Sequence, residues 1–266
     1  MIQCGNHDKK ELLTFLKKEP SKNGFFIGDV ENHSLEEDFL NVWMLKRDGQ
    51  IKSVLLRFYR YFHISTSGID TIKEISDEIK KYPEAVTVSG TETVINGLSR
   101  YIDFQKIRKM FLAELKEETF VDIDTGIEPE KAGVEDIDEL YDFDLSIEEF
   151  ASETQSKDGY GEDIKRNTGR IYYIRENSRI VAKAGLTAEN SENGVIVGVA
   201  TDKTHRNRGY AKACLVKLCR ELVTENKRAV LFYDNPDASK LYKSIGFTDI
   251  GRIVTGIIDD SDQQDS

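Results

Sequence analysis

The stretch from Arg206 to Ala211 is basic, contains glycine and has the residue types of an anion-binding loop. It reads Arg-Asn-Arg-Gly-Tyr-Ala, and a helical pattern starts directly after Gly209. Glycine allows the backbone to approach a ligand closely, and the N–H groups of a helix N-terminus attract anions. Arg206 and Arg208 add positive charge. We therefore expect this stretch, the anion loop, to hold a phosphate or pyrophosphate; the alternative is a basic turn before a surface helix.

The segments around the anion loop have the order strand, loop, helix, strand and short helix. Val195–Ala200 and Ala229–Tyr233 are short β-rich runs. Between them, apolar side chains recur at helical spacing and predict one packed face: Ala211, Cys214, Leu215, Leu218 and Leu222. Pro236 suits the first turn of the second helix, and Gly246 is placed to end it. The order predicts a βαβ unit whose anion loop lies at the carboxyl end of the first strand, where α/β sheets bind ligands.

Two spaced motifs in this unit resemble the signatures of the GCN5-related N-acetyltransferase (GNAT) superfamily. The first signature, Arg/Gln-x-x-Gly-x-Gly/Ala after the fourth strand, is matched by Arg206, Gly209 and Ala211. The second, Asn-x-x-Ala-x-x-x-Tyr after the fifth strand, is matched by Asn235, Ala238 and Tyr242. The resemblance covers residues 127–258 and is nearest to the two-domain members labelled FR47-like. It implies a tandem α/β (α+β) fold, with a mixed, mostly antiparallel sheet flanked by helices.

The resemblance implies acetyl-coenzyme A (acetyl-CoA) as the acyl donor, and no metal. The coenzyme A pyrophosphate would lie on the N–H groups of Arg208, Gly209, Tyr210 and Ala211. The pantetheine arm would enter between the fourth and fifth strands and pair with the main chain of Val197 and Val199. The N–H near Val199 would polarise the thioester carbonyl, as an oxyanion-hole donor does. Core packing is the alternative role of the two valine side chains.

Tyr242 is the candidate general acid. Attack of an amine on a thioester expels a thiolate, and a tyrosine is protonated at neutral pH and could give that thiolate a proton. The alternative is a helix tyrosine packed on the sheet. Asn235 and Ala238 are the matching cofactor-binding positions, where Asn235 would hydrogen-bond the cofactor arm or would serve only as a helix cap.

No carboxylate lies in the strand Val195–Ala200, where many members of the superfamily place the general base. Glu189 comes just before that strand, and three further residues are available as bases: Glu149, Glu153 and His205. The alternative for each is a solvated surface group, and a chain of water molecules could remove the proton instead. The acceptor wall has its own candidates, for which core packing is the alternative: Phe143, Phe150 and Tyr160.

Composition limits the range of partners. The 266 residues carry a formal net charge of −11, which argues against nonspecific nucleic-acid binding because phosphate contacts need a basic face. No apolar run reaches the roughly 18 residues of a membrane span. Three cysteines without metal spacing predict reduced thiols and a cytoplasmic protein. The sequence leaves open whether the chain is a monomer or a homodimer.

The first half loosely repeats the element order of the second. Gly24–Asp29 is predicted as a compact turn, Asp48-Gly49 as a hairpin turn, and Lys106–Leu115 as a strand. No anion-loop motif occurs in residues 1–120, so we expect a degenerate GNAT-like domain there; an unrelated α/β domain is the alternative. A linker at 121–130 would lead to the acetyltransferase domain at 131–258, and the acidic tail 259–266 is expected to be disordered.

The leading functional prediction is an N-acetyltransferase that moves an acetyl or short acyl group directly to a primary amine in a ternary complex. The acceptor would be a small-molecule or peptide amine. A non-catalytic acyl-CoA-binding sensor is the second hypothesis, because an intact anion loop suits both. A scaffold that binds no cofactor is the third.

Overall fold

The computed structural model describes residues 1–151, 157 and 160–258. The chain divides into two compact units, one made of residues 1–112 with the C-terminal residues from 250 onward, the other of residues 113–249. The predicted acidic tail, 259–266, lies outside the described residues. No helix within the described ranges is both long and apolar enough to cross a membrane.

The first unit is a layer of mostly antiparallel strands with helices packed on it. Its elements in chain order are β1 (Ile2–Gln3), α1 (Lys9–Leu16), α2 (Gly24–Asn32), β2 (Leu40–Arg47), β3 (Gln50–Phe58), β4 (Tyr61–Thr66), α3 (Ile72–Ile79), β5 (Thr87–Gly90), α4 (Glu92–Leu98) and β6 (Lys106–Leu115). The end of β6, from Ala113 onward, belongs to the second unit. Strands β1 to β5 are neighbours in sequence order, and β4 with β5 is the parallel pair. The predicted hairpin turn is confirmed, with φ values of 51° at Asp48 and 74° at Gly49.

The prediction of a turn at Gly24–Asp29 is wrong, because this segment opens the helix α2. The two glycines that suggested a turn, Gly24 and Gly28, are both buried in the helix. They lie four residues apart and therefore on one helical face. Phe26, Ile27 and Val30 are buried with them, so burial of apolar surface outweighs the low helix propensity of glycine here.

The second unit contains the predicted βαβ segment. Its elements are β7 (Glu130–Lys131), α5 (Ile137–Ser146), α6 (Glu148–Ala151), α7 (Glu162–Arg166), β8 (Arg170–Glu176), β9 (Arg179–Thr187), β10 (Asn193–Thr201), α8 (Tyr210–Thr224), β11 (Arg228–Tyr233), α9 (Pro236–Ile245) and β12 (Thr248–Ile257). The strand order is β11-β10-β9-β8-β7, with β10 and β11 parallel and the other neighbours antiparallel. The predicted mixed, mostly antiparallel α/β architecture is confirmed.

Two apolar clusters hold helices to the second unit's sheet. On α8, Cys214, Leu215, Leu218 and Leu222 are fully buried, as the helical spacing predicts. Leu140 and Phe143 of α5 pack in a separate cluster with Tyr173, Ile180 and Ala200. Each buried leucine contributes about 1.5–3 kcal/mol of transfer free energy, so these contacts fix the start of α8, and with it the anion loop.

The last strand, β12, runs out of the second unit and into the first. Its residues Val254–Ile257 pair antiparallel with β5, and the Ser89 and Thr255 hydroxyls lie 2.7 Å apart across 166 residues of sequence. Val254 is buried in the first unit's core. Most of β12 therefore belongs to the first compact unit, which includes the described residues from Ile250 onward. The domain limits of 1–120, 121–130 and 131–258 stay a prediction.

Gly246 ends α9 in a left-handed conformation, with φ 110°. A β-carbon there would lie 1.9 Å from the Thr119 carbonyl oxygen, a distance that no packed pair of atoms adopts. We expect Gly246→Ala to lower the free energy of unfolding by roughly 2–5 kcal/mol, through backbone strain and overpacking. Thermal or urea unfolding measures the loss. Gly49→Ala is the control, because its φ is also positive but no atom lies within 4 Å of the added carbon. Equal losses in the two variants would contradict the contact with Thr119.

Candidate active site

Strands β10 and β11 separate toward their carboxyl ends. Their parallel register runs from Asn193 opposite Arg228 to Ile196 opposite Leu231 and goes no further, although β10 continues to Thr201. An opening between the two strands therefore begins beyond Ile196. The pantetheine arm was predicted to enter between these strands.

A bulge interrupts the other edge of β10. Its register with β9 runs to Val197 opposite Gly185 and resumes at Ala200 opposite Lys183. Gly198 has φ +59°, and neither Gly198 nor Val199 has a register partner in β9 or β11. Val197 is 39% exposed, and Val199 is half-buried against the core. Val197 therefore keeps its partner in β9 but has none on the β11 side, and Val199 is outside the regular pairing on both sides. The main chain here can bond a ligand that lies on the β11 side.

The anion loop brings a run of backbone N–H groups to the start of α8. Asn207 and Gly209 both have left-handed backbones, with φ +66° and +83°. The first helical hydrogen bond runs from Ala213 N–H to the Gly209 carbonyl oxygen. Within the described ranges, the N–H groups of residues 207–212 have no protein acceptor. Such a run at a helix N-terminus has the geometry with which proteins bind phosphate groups, and a pyrophosphate at this loop stays a prediction.

The side chains of the anion loop are held by carboxylates. Glu176, at the end of β8, accepts a hydrogen bond from the Tyr210 hydroxyl, and its Oε2 lies 3.3 Å from Arg208 Nη1. Arg206 Nη2 lies 3.2 Å from Glu149 Oε1. Both arginine side chains are about half exposed, so these ion pairs are individually weak.

Tyr242 lies on α9 and is buried, with its ring centroid 5.4 Å from that of Tyr233 and 5.9 Å from that of Phe247. Its hydroxyl has no hydrogen-bond partner among the described residues, and the hydroxyl oxygen is not completely enclosed by protein atoms. Burial, with a smaller contribution from Tyr233, raises the pKa of Tyr242 to about 12. The phenol is therefore protonated at neutral pH and free to donate its proton in a hydrogen bond.

Asn235 and Ala238 flank the start of α9. Asn235 is the helix N-cap, and its Oδ1 accepts a hydrogen bond from Asp237 N–H at 2.9 Å. Its amide nitrogen has no partner among the described residues, so it can still donate to a ligand. Ala238 is half-buried against the core that also contains Tyr242. The second signature thus has a structural role in α9, and a cofactor contact by Asn235 stays a prediction.

The described candidate bases already have polar partners. Glu189 accepts hydrogen bonds from Arg170 and from Lys227 Nζ, the latter at 2.6 Å. The pKa of Glu149 is lowered, first by a hydrogen bond from its own main chain and also by Arg206, which weakens it as a base. His205 Nδ1 lies 2.7 Å from Asp202 Oδ1. Glu153 lies outside the described residues.

Sequence reasoning missed a buried polar cluster beside the β10 bulge. Lys183 and Asp144 are 4% and 7% exposed and form an ion pair, and Tyr160 donates a hydrogen bond to Asp144 Oδ2 at 2.6 Å. Lys183 Nζ lies 3.1 Å from the Tyr160 hydroxyl oxygen. Tyr160 was predicted as an acceptor-wall residue, whereas Phe143 is buried in the core and Phe150 packs against it. A lone lysine within the apolar run of β9 was the available signal.

Known proteins that resemble this chain are acetyltransferases of the GNAT family and proteins with the GNAT fold. The sequence profile of the Acetyltransferase (GNAT) family matches residues 134–247. No curated protein sequence matches the chain significantly. Among solved structures, a GCN5-related N-acetyltransferase-like protein from Streptococcus suis is 13% identical with a TM-score of 0.61, and the match covers 95% of this chain and 100% of that one.

Two further structures match over nearly the whole chain. A Drosophila protein is 13% identical with a TM-score of 0.68, covering 96% of this chain and 97% of that one. A tandem GNAT protein from the clavulanic acid biosynthesis pathway is 10% identical with a TM-score of 0.62, covering 97% and 98%. At such identities the likeness shows the fold. Residues 134–247 thus form a domain that matches the GNAT family, and the chain over its length has the fold of a tandem GNAT protein.

Proposed function

We propose that this protein transfers an acetyl or other short acyl group from acetyl-CoA to a primary amine on a small molecule or peptide. The observation that carries the proposal is the anion loop, with its unpaired N–H groups, next to the opening between β10 and β11. The anion loop suits a pyrophosphate, and the opening between β10 and β11 suits an extended arm that ends in a thioester.

Each part of the site has a task in direct transfer. The N–H groups of the anion loop hold the pyrophosphate, with Arg206 and Arg208 as flexible cations. The pantetheine arm bonds to the main chain of Val197 and Val199 as an added strand would. The acceptor nitrogen attacks the thioester carbon, the C–S bond breaks, and the thiolate leaves near Tyr242.

Tyr242 acts mainly as a hydrogen-bond donor to the leaving thiolate. Its pKa of about 12 lies well above that of a free thiol, so complete proton transfer to the thiolate is uphill. Donation of a hydrogen bond still stabilises the negative charge that develops on sulfur in the transition state. Solvent can then complete the protonation of the thiol.

The second candidate is an acyl-CoA sensor, and one observation favours it. Both described glutamates among the candidate bases, Glu189 and Glu149, pair with positively charged side chains, so neither is an obvious proton acceptor. A sensor would bind acetyl-CoA and release no thiol. An enzyme would release thiol when the correct amine is supplied, with water as the proton acceptor if no side chain takes the role.

A two-step measurement separates these functions from a scaffold that binds nothing. Thermal or chemical unfolding with coenzyme A at one hundred times its Kd should show about 2.7 kcal/mol of added stability. Thiol release from acetyl-CoA is then followed with a panel of primary amines. Stabilisation with turnover supports the enzyme, and stabilisation without turnover on any amine supports the sensor. A lack of stabilisation at millimolar coenzyme A would overturn both.

The first unit serves as a degenerate GNAT-like half in this proposal. Its parallel pair, β4 and β5, is also joined through a helix, but two N–H groups of the connecting loop already have protein acceptors. Gly68 N–H donates to Thr66 Oγ1 at 3.1 Å, and Ser67 N–H donates to the Lys52 carbonyl oxygen at 2.9 Å. Asp70 adds negative charge where the second unit has arginines. This loop is therefore a poor site for a pyrophosphate.

A further inference from the structure

The side chain of Lys183 ends at the bulge of β10. A β-carbon on Gly198 would lie 3.3 Å from Lys183 Cε and 3.4 Å from Lys183 Nζ. The ammonium group is thus next to the main chain of Gly198, one residue from Val199, whose N–H is the predicted donor to the thioester carbonyl. Glycine at position 198, with its φ of +59°, both permits the bulge and leaves room for the lysine.

The cluster around Lys183 has unused hydrogen-bonding capacity. Lys183 Nζ donates to Asp144 Oδ2 and to the Tyr160 hydroxyl, which leaves its third N–H without a partner among the described residues. Asp144 Oδ1 is buried and also lacks a hydrogen-bond partner in the described part of the chain. An ammonium group carries three donors, and an unused buried donor is costly unless a ligand accepts from it.

We propose that Lys183, positioned by Asp144 and Tyr160, donates its third N–H to the thioester carbonyl oxygen of the acyl donor. This inference rests on the proposed function, and it adds a catalytic side chain to the main-chain donor at Val199. A carbonyl oxygen has two lone pairs and accepts both hydrogen bonds. Lys183 thereby stabilises the oxyanion that forms when the amine attacks.

The lysine keeps its proton throughout the step. The acceptor nitrogen forms a bond to the thioester carbon, the C=O electron pair moves to oxygen, and its return breaks the C–S bond. The proton of the acceptor amine goes to solvent, and the thiolate leaves with the electron pair of the C–S bond. Lys183 acts only through its charge and its N–H, so it must remain an ammonium.

Asp144 has the task of keeping Lys183 charged. Burial lowers the pKa of Lys183, and the adjacent Asp144 carboxylate opposes that effect. Tyr160 accepts from Lys183 and donates to Asp144, which fixes the ammonium beside Gly198. We regard Asp144 and Tyr160 as positioning residues, because neither touches the reacting atoms.

The test uses a variant that removes both charges together. Lys183→Met alone would leave a buried carboxylate unpaired and would destabilise the fold, whereas Lys183→Met with Asp144→Asn leaves no uncompensated charge. The asparagine oxygen still accepts from Tyr160. Lys165→Met is the control, because Lys165 is exposed on α7 and pairs with Glu162.

We expect the double variant to bind coenzyme A within about threefold of the unaltered protein and to lose roughly 10²–10³ in kcat. The carbonyl stretch of bound acetyl-CoA, isotope-edited with ¹³C at the carbonyl, should rise in frequency when the Lys183 hydrogen bond is lost. A folded double variant with unchanged kcat or an unchanged stretch would overturn the inference.

The infrared measurement separates this inference from the proposed function. If the protein binds acetyl-CoA but acetylates no amine, the proposed transfer fails, and the carbonyl stretch still decides the role of Lys183. If acetyl-CoA does not bind at all, the thermal titration shows that directly, and both proposals are overturned. Lys165→Met should leave the stretch and kcat unchanged.

Discussion

Replacing Gly209 with glutamate is expected to weaken coenzyme A binding by at least about 100-fold. A β-carbon on Gly209 would have only Ile127 Cδ1 within 4 Å, at 3.9 Å, so the added carbon has room, although the φ of +83° strains any side chain there. The glutamate side chain would enter the space of the pyrophosphate with a like charge, and at about 4 Å two such charges repel by roughly 4 kcal/mol near a protein surface. Isothermal titration with coenzyme A measures the loss.

Gly209→Asn is the matched control for the backbone. Asparagine tolerates the left-handed conformation that φ +83° requires and brings no charge. We expect it to bind coenzyme A more weakly than the unaltered protein, through added bulk, but more tightly than the glutamate variant. Unfolding curves for both variants check that α8 still forms. A folded Gly209→Glu variant with unaltered affinity would remove the anion loop from the binding site.

Tyr242→Phe is expected to lower kcat roughly 10²-fold while leaving stability within about 0.5 kcal/mol. The hydroxyl has no hydrogen-bond partner among the described residues, so its removal leaves no buried group unpaired. The aromatic contacts with Tyr233 and Phe247 remain in the variant. Thiol release from acetyl-CoA measures kcat, and thermal unfolding measures stability.

Tyr233→Phe should show the reverse pattern. The Tyr233 hydroxyl donates to Asp249 Oδ1 at 2.9 Å, so its loss should cost about 1 kcal/mol of stability and little activity.

The pH profile gives a second check on Tyr242. Its pKa of about 12 means that the phenol keeps its proton as pH rises. At pH values up to about 11, we therefore expect no decrease in kcat from loss of that proton. Equal kcat values for Tyr242→Phe and the unaltered protein would leave Tyr242 as a core residue.

The local parts of the site were predictable because their signals are local. A glycine that must adopt positive φ, a basic loop and an apolar stripe at helical spacing lie within twenty residues, and each has a direct structural cause. The same holds for Gly246, whose left-handed conformation ends α9. The separation of β10 and β11 followed from the family resemblance and not from the residues themselves.

The parts that sequence reasoning missed depend on contacts between distant segments. Nothing in the residues of β12 reveals that they pair with β5, because strand partners are set by the whole sheet. The cluster of Asp144, Tyr160 and Lys183 joins a helix, a loop and a strand. Of these three residues, only Lys183 gave a signal in the sequence, because it is a charged residue within the apolar run of β9. In α2, two glycines suggested a turn, although tertiary burial made them part of a helix.

The position of the coenzyme A pyrophosphate is the central claim, and a crystal structure with coenzyme A tests it most directly. We predict phosphate oxygens at roughly 2.7–3.2 Å from the main-chain nitrogens of the anion loop, with the pantetheine arm between β10 and β11. A complex in which coenzyme A binds at another place, while the N–H groups of residues 207–212 contact only water, would contradict the account.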